Sequence, residues 1–216
     1  MFIGHVAVGL AGKRLAPSVS LATWLASVQL VDMLWPLFLL AGLEHVRITP
    51  GITAFTPLDF YDYPITHSLV GSLGWAAIFS LGWLLGRRDL RIAVLLAAGV
   101  TSHWVLDFIS HRPDMPVLPH GPYVGLGLWN SVPATLAVEV TMFAAGLALY
   151  LRGGGNGARR VSFWLLIGFV IVAYFGAAFG PPPPDVRTLA LTGLAGWVVL
   201  PWVWWADREG AAERRP

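Results

Sequence analysis

Ionisable side chains lie inside apolar segments of this chain, and their types are those that bind metal ions. His103 and Asp107 are four residues apart, so a helix places both on one face. Asp32 and Glu139 lie within two other apolar segments. A charged carboxylate in hydrocarbon costs several kcal/mol, so such residues are usually paired, metal-bound or functional. Two ligand-type side chains that converge at membrane depth therefore predict a metal site within a helical bundle.

The composition is that of a membrane protein. Of 216 residues, 56% are hydrophobic and 12% are charged, whereas a soluble domain has about 25% charged residues. The pI is near 9.3, but the 14 Lys and Arg residues are spread along the chain, so we expect no nucleic-acid partner. The chain has no Cys, which excludes thiolate ligands and disulfides.

The hydrophobic pattern predicts an all-α integral membrane bundle. Segments of about 20 apolar residues can cross a bilayer, and they fall at 20–43, 65–86, 90–110, 132–151, 161–180 and 187–206. The stretch 2–10 is too short to cross, and irregular backbone is not tolerated in lipid. We therefore expect about six transmembrane helices and a short N-terminal half-membrane helix packed within the bundle.

The polar residues divide this continuous membrane domain into two parts. Residues 1–152 contain the predicted metal site, and residues 153–216 add two transmembrane helices and a cytoplasmic tail. No internal repeat is evident.

The predicted helices bring five ligand-type residues to similar depth. A rise of about 1.5 Å per residue puts Asp32 and His103 roughly 18 Å above the cytoplasmic edge, and Asp107 about 6 Å higher. We predict that the metal ligands are His5, Asp32, His67, His103 and Asp107. Imidazole and carboxylate suit Zn²⁺ or a related divalent ion, as one ion with an open position or two ions bridged by a carboxylate. Either arrangement would activate water for hydrolysis.

Each ligand also has a structural interpretation. Asp32 could bond a neighbouring helix, His103 and Asp107 could form a structural pair, and His5 and His67 could be a core and an interfacial histidine. Glu139 could bind metal, act as a base or bond a ligand histidine.

Further candidates concern catalysis and substrate binding. Asp32 or Glu139 is the expected general base. Ser68 and Asn130 are candidates for orienting the substrate. His111 continues the i+4 series after Asp107 but follows the predicted helix end.

Several motifs occur in an order that resembles a known family. They are Met1-Phe2-Ile3-Gly4-His5, then Asp32, then Thr66-His67-Ser68, then Ser102-His103-Trp104-Val105-Leu106-Asp107. The set resembles a bacterial membrane family labelled LexA-regulated or predicted membrane-bound metal-dependent hydrolases. The resemblance covers about residues 1–150. It implies hydrolysis within the bacterial inner membrane.

The ligand order is also similar to that of zinc-dependent phospholipase C. This resemblance implies that one ion is held by Asp32, His67, His103 and Asp107. A second ion would be held with the help of His5 and a bridging Asp107. The pattern departs at Thr135, where the phospholipase has a histidine, so no third ion is implied.

We expect a membrane-embedded hydrolase that uses metal-activated water on a lipid-like ester or phosphoester, with membrane lipid around it. The main alternative is a transporter or ion pathway lined by the same residues, although a transporter often has repeat symmetry. A membrane scaffold with a structural metal is the third possibility.

The basic residues predict which ends of the helices face the cytoplasm. Eleven of them fall on one side of the predicted topology: Lys13, Arg14, Arg87, Arg88, Arg91, Arg152, Arg159, Arg160, Arg208, Arg214 and Arg215. The opposite loops contain only Arg47, Arg112 and Arg187. The positive-inside rule then puts the C-terminus in the cytoplasm and the metal site toward the external side.

Reporter fusions test this topology. A reporter inserted after Gly155 or fused at the C-terminus should behave as cytoplasmic, and one inserted within 111–131 should behave as external. Opposite labelling at these sites would overturn the orientation.

Overall fold

The fold is an all-α bundle of membrane-length helices. A computed structural model describes residues 1–153, 157 and 160–212, with side chains described up to Asp207. Among these residues, five helices are long and apolar enough to cross a membrane, or six if one bent pair forms a single span. The loop position Gly155, used above for a reporter, lies outside the described residues.

The described residues form mainly helices, and polar side chains cap the N-termini of several of them. In chain order they are α1 (Ile3–Leu15), α2 (Leu21–Val28), α3 (Leu30–Leu40), β1 (His45–Ile48), β2 (Leu58–Asp62), α4 (Pro64–His67), α5 (Leu69–Arg87), α6 (Leu90–Ser110), β3 (Met115–Pro116), β4 (Tyr123–Val124), a short 3-10 helix (Leu128–Asn130), α7 (Val132–Arg152), α8 (Val161–Phe179), α9 (Val186–Gly193) and α10 (Ala195–Ala212). Side-chain oxygens cap the N-termini of five helices: Ser20, Ser68, Asp89, Ser131 and Asp185. Each accepts a hydrogen bond from a backbone N–H that has no partner within its helix.

The apolar segment 20–43 is bent rather than continuous. The chain turns by 55° between α2 and α3, at Gln29, whose φ of −107° and ψ of 5° are not helical. Pro36, of the residue type that commonly kinks helices, does not mark the bend but lies inside α3. The break leaves the carbonyl of Val28 at the end of α2, where helical carbonyls lack partners in their own helix.

The short helix α1 lies inside the bundle. Most of its residues are buried, and it packs on α7, α2, α6 and α8. Gly146 of α7 permits a close approach of the two backbones, because a Cβ there would lie 2.4 Å from the carbonyl oxygen of Ala7. With 13 residues, α1 is about 20 Å long, too short to cross the bilayer.

A buried ion pair fastens the other end of α1. Lys13 Nζ lies 3.0 Å from Asp207 Oδ2 on α10 and donates to the carbonyl of Val19. The same carboxylate oxygen accepts from the backbone N–H of Leu21, the first residue of α2. Lys13, which was counted above among the basic residues of one face, is therefore a buried structural cation.

Two small antiparallel hairpins occupy the segments between the spans. β1 pairs with β2 and β3 pairs with β4. They pack with α3 and α9 in one apolar cluster that includes Trp35, Phe60, Tyr63 and Met115. The long segments 44–64 and 111–131 are thus ordered, and they cover the end of α6 that carries Asp107.

The close contact at Gly146 can be tested by adding one methyl group. Gly146→Ala should lower the stability by about 1–3 kcal/mol, because the backbone of Ala7 cannot move away easily. The measurement is the thermal unfolding midpoint in detergent.

Gly168→Ala on α8 is the matched control, since no neighbouring atom of the described residues lies within 4 Å of a Cβ there. Equal midpoints for the two variants would contradict the packing described for α1.

Candidate metal centre

The orientation of His103 leaves one ring nitrogen free for a ligand. Its Nδ1 lies 2.7 Å from the carbonyl oxygen of Val28. A carbonyl only accepts hydrogen bonds, so Nδ1 carries the proton and donates. In the neutral ring, Nε2 then presents a lone pair. The helix break at Gln29 and the fold of α6 together fix this tautomer.

Two carboxylates face that lone pair. His103 Nε2 lies 3.1 Å from Asp107 Oδ2 and 3.4 Å from Asp32 Oδ1. Among the described residues, Nε2 has no hydrogen-bond partner although it is buried. Three acceptors that converge in a buried place require a cation or an added proton between them. The donor set, imidazole nitrogen with carboxylate oxygen, suits a divalent metal ion.

His67 joins the same carboxylates from a different helix. It ends the short helix α4, and its Nε2 lies 3.2 Å from Asp32 Oδ1 and 3.9 Å from Asp107 Oδ2. Its other nitrogen, Nδ1, lies 2.6 Å from Thr66 Oγ1.

His5 approaches Asp107 from the opposite side. Its Nε2 lies 3.1 Å from Asp107 Oδ1, and its ring stacks on His103 with centroids 3.7 Å apart. The amino group of Met1 also contacts Asp107 Oδ1 and lies 3.0 Å from Ser110 Oγ. The two oxygens of Asp107 therefore face different histidines.

The five predicted ligands thus lie together. They form two groups that could hold a metal ion, His5 with His103 and Asp107, and Asp32 with His67 and His103. Within each group the ligand atoms lie within 4.8 Å of one another, and His103 belongs to both.

The centre is open only at one ligand. The side chain of Asp32 is 40% exposed, whereas those of His67 and Asp107 are 4% exposed and that of His103 is 1% exposed. A small molecule would therefore reach the centre past Asp32.

Glu139 occupies a different position. Its Oε2 accepts hydrogen bonds from the backbone N–H groups of Phe2 at 2.8 Å and Gly4 at 3.2 Å. α1 has no side-chain cap of its own. The carboxylate of Glu139, which lies on α7, therefore accepts the hydrogen bonds of backbone N–H groups at the start of α1. It holds the turn that carries His5, and no hydrogen bond joins it to the five ligands among the described residues. The base role predicted for Glu139 stays a prediction.

The two residues predicted to orient substrate have other contacts. Ser68 is buried, donates to the carbonyl of Pro64 and accepts from Gly71 N–H, so its proton is engaged. Asn130 is exposed at the end of the 3-10 helix. No hydrogen bond joins either side chain to a ligand residue within the described part of the chain.

A second polar cluster lies next to the centre. His111 follows the end of α6 and lies 3.0 Å from Asp114 Oδ1 and 3.3 Å from Tyr63 Oη. Burial lowers the pKa of His111 below the usual value for histidine. Burial, together with the charges of Asp114 and Asp107, raises the pKa of Tyr63 well above that of a free phenol. His111 belongs to neither ligand group.

Comparison of the chain with protein-family models, with curated proteins and with solved structures gives no significant match.

Metal analysis of purified variants tests the centre. His103→Ala should leave substoichiometric metal, because both ligand groups contain His103. Loss of a residue that orients a ligand costs about 10–100-fold in affinity, and loss of the ligand itself should cost more.

The matched control is His111→Ala, which removes a buried histidine outside both groups and should have a much milder effect. If folded wild-type protein contains no divalent ion and binds none when it is added, the prediction of a metal centre is wrong.

Proposed function

We propose that this protein is a membrane-embedded, metal-dependent hydrolase that cleaves a lipid-like ester or phosphoester. One observation carries the proposal: a lone pair of His103 faces Asp107 and Asp32 within an apolar bundle, and Asp32 alone among the five ligands is substantially exposed. A purely structural metal site is usually closed, whereas a catalytic one keeps an open position. The resemblance to membrane-bound metal-dependent hydrolases implies the same class of reaction.

The proposed cofactor is zinc, as one or two ions. His103 and His67, with Asp32 and Asp107 close to them, would hold the first ion through Nε2 and carboxylate oxygens. The second oxygen of Asp107 and Nε2 of His5 offer a place for another. When bound, zinc lowers the pKa of water to near neutrality and polarises a carbonyl or phosphoryl oxygen.

Asp32 is the proposed general base. Both of its histidine contacts use Oδ1, and Oδ2 makes no hydrogen bond or ion pair with the described residues. A free oxygen on the exposed side can accept a proton from a water molecule that enters there. We assign Glu139 to the positioning of α1 and His5, because its carboxylate accepts two backbone N–H groups.

The substrate class follows from the position of the centre. Four ligands lie on or beside apolar membrane helices, so an amphipathic substrate could bring its polar group to the ligands while its chains stay in lipid. A soluble substrate would not need a site within a membrane. The charge asymmetry of the loops supports an orientation with the site toward the external side and the C-terminus in the cytoplasm. The family resemblance implies a bacterial inner-membrane location.

Turnover in lipid nanodiscs tests this function. The wild-type protein should hydrolyse an amphipathic ester or phosphoester, and a chelator should stop the reaction. His67→Ala should abolish turnover, because it removes a ligand next to the proposed base.

His120→Ala is the control. His120 is an exposed loop residue, and no hydrogen bond or ion pair among the described residues joins it to the five ligands. A broad screen of lipids and phosphoesters without chelator-sensitive turnover would contradict the proposal and favour a structural or transport role. Flux into proteoliposomes would identify the transporter.

A further inference from the structure

A buried carboxylate lies behind His67. Glu44 follows α3, and its residue is only 1% exposed. No lysine or arginine among the described residues pairs with it. One oxygen accepts from Thr66 N–H at 2.8 Å, and the other accepts from Thr66 Oγ1 at 2.7 Å. A buried carboxylate held by a single residue in this way has a defined orientation.

The hydroxyl of Thr66 connects that carboxylate to the ligand. Oγ1 lies 2.6 Å from His67 Nδ1. A hydroxyl has one proton and two lone pairs, and an ionised carboxylate can only accept. The Thr66 proton therefore goes to Glu44, and Oγ1 accepts from the Nδ1–H of His67.

The direction of these bonds determines the tautomer of His67. With its proton on Nδ1, the neutral ring presents the lone pair of Nε2. That nitrogen lies 3.2 Å from Asp32 Oδ1. His67 is thus oriented as a ligand by a side chain, as His103 is by the carbonyl of Val28.

We propose that Glu44 and Thr66 are positioning residues that hold His67 in its metal-binding tautomer and orientation. This inference rests on the proposed metal centre. The negative charge of Glu44 polarises the Thr66 hydroxyl, whose oxygen accepts the Nδ1 proton of His67. This increases the electron density on Nε2 and so strengthens its bond to a cation. Thr66 accordingly sets the affinity and geometry of the ion without touching it.

Metal binding by purified protein tests the proposal, with Co²⁺ and Zn²⁺ as probes. Thr66→Val keeps the shape of the side chain but removes the hydroxyl. It should weaken Zn²⁺ binding by about 10–100-fold, and it should alter the visible absorption spectrum of the Co²⁺ form. Thr66→Ser restores the hydroxyl and should recover both the affinity and the spectrum.

Thr135→Val is the matched control. Thr135 is as fully buried as Thr66. Within the described part of the chain, its hydroxyl donates to the backbone carbonyls of Leu128 and Ser131 and contacts no ligand residue. This variant should keep the wild-type affinity and spectrum.

Glu44→Gln keeps the shape of Glu44 but removes its charge, and it should also weaken Zn²⁺ binding. It provides the test if Thr66→Val does not fold. Wild-type affinity and an unchanged Co²⁺ spectrum in either variant, when folded, would overturn the positioning role. Failure of the wild-type protein to bind either ion would instead overturn the metal centre itself.

Discussion

Two carboxylates face one imidazole nitrogen inside an apolar bundle, and the balance of their charges is the constraint on which the rest of the structure depends. Asp32 and Asp107 lie on either side of His103 Nε2. Asp107 is buried and its Oδ1 also contacts the amino group of Met1, whereas the side chain of Asp32 is 40% exposed. A buried carboxylate needs such compensation. The ring proton of His103 is already used at Val28, so it does not separate the acceptors. A divalent cation would satisfy all of them at once.

Interruptions in the helices supply the geometry that this arrangement needs. The bend at Gln29 releases the carbonyl that orients His103, and it also places Asp32 in the first turn of α3. The N-terminal turn of a helix favours negative charge. His67 similarly ends α4, just before the chain begins α5 at Leu69. A straight helix in either place would leave these polar groups without their present partners.

The sequence was informative where the periodicity of a single helix decides the geometry. The spacing of His103 and Asp107, together with membrane depth, predicted neighbours that the structure brings together. Gln29 could not be identified, because nothing about glutamine marks a break and Pro36 gave a stronger signal. The role of Glu44 depends on a contact with Thr66 across 22 residues, which no local pattern reveals. The sequence left Glu139 open as a metal ligand, a base or a partner of a ligand histidine, because its contacts with the N–H groups of Phe2 and Gly4 join segments more than 130 residues apart.

The ion pair between Lys13 and Asp207 has a consequence for the biogenesis of the protein. Lys13 belongs to α1 and its partner belongs to α10, 194 residues later in the chain, so α1 is synthesised well before α10. The carboxylate that pairs with the Lys13 ammonium group is therefore synthesised later than Lys13 itself. Because α1 also carries His5, this ion pair links the position of one candidate ligand to α10. A chain that stopped short of α10 would lack the carboxylate that binds Lys13 at the far end of α1.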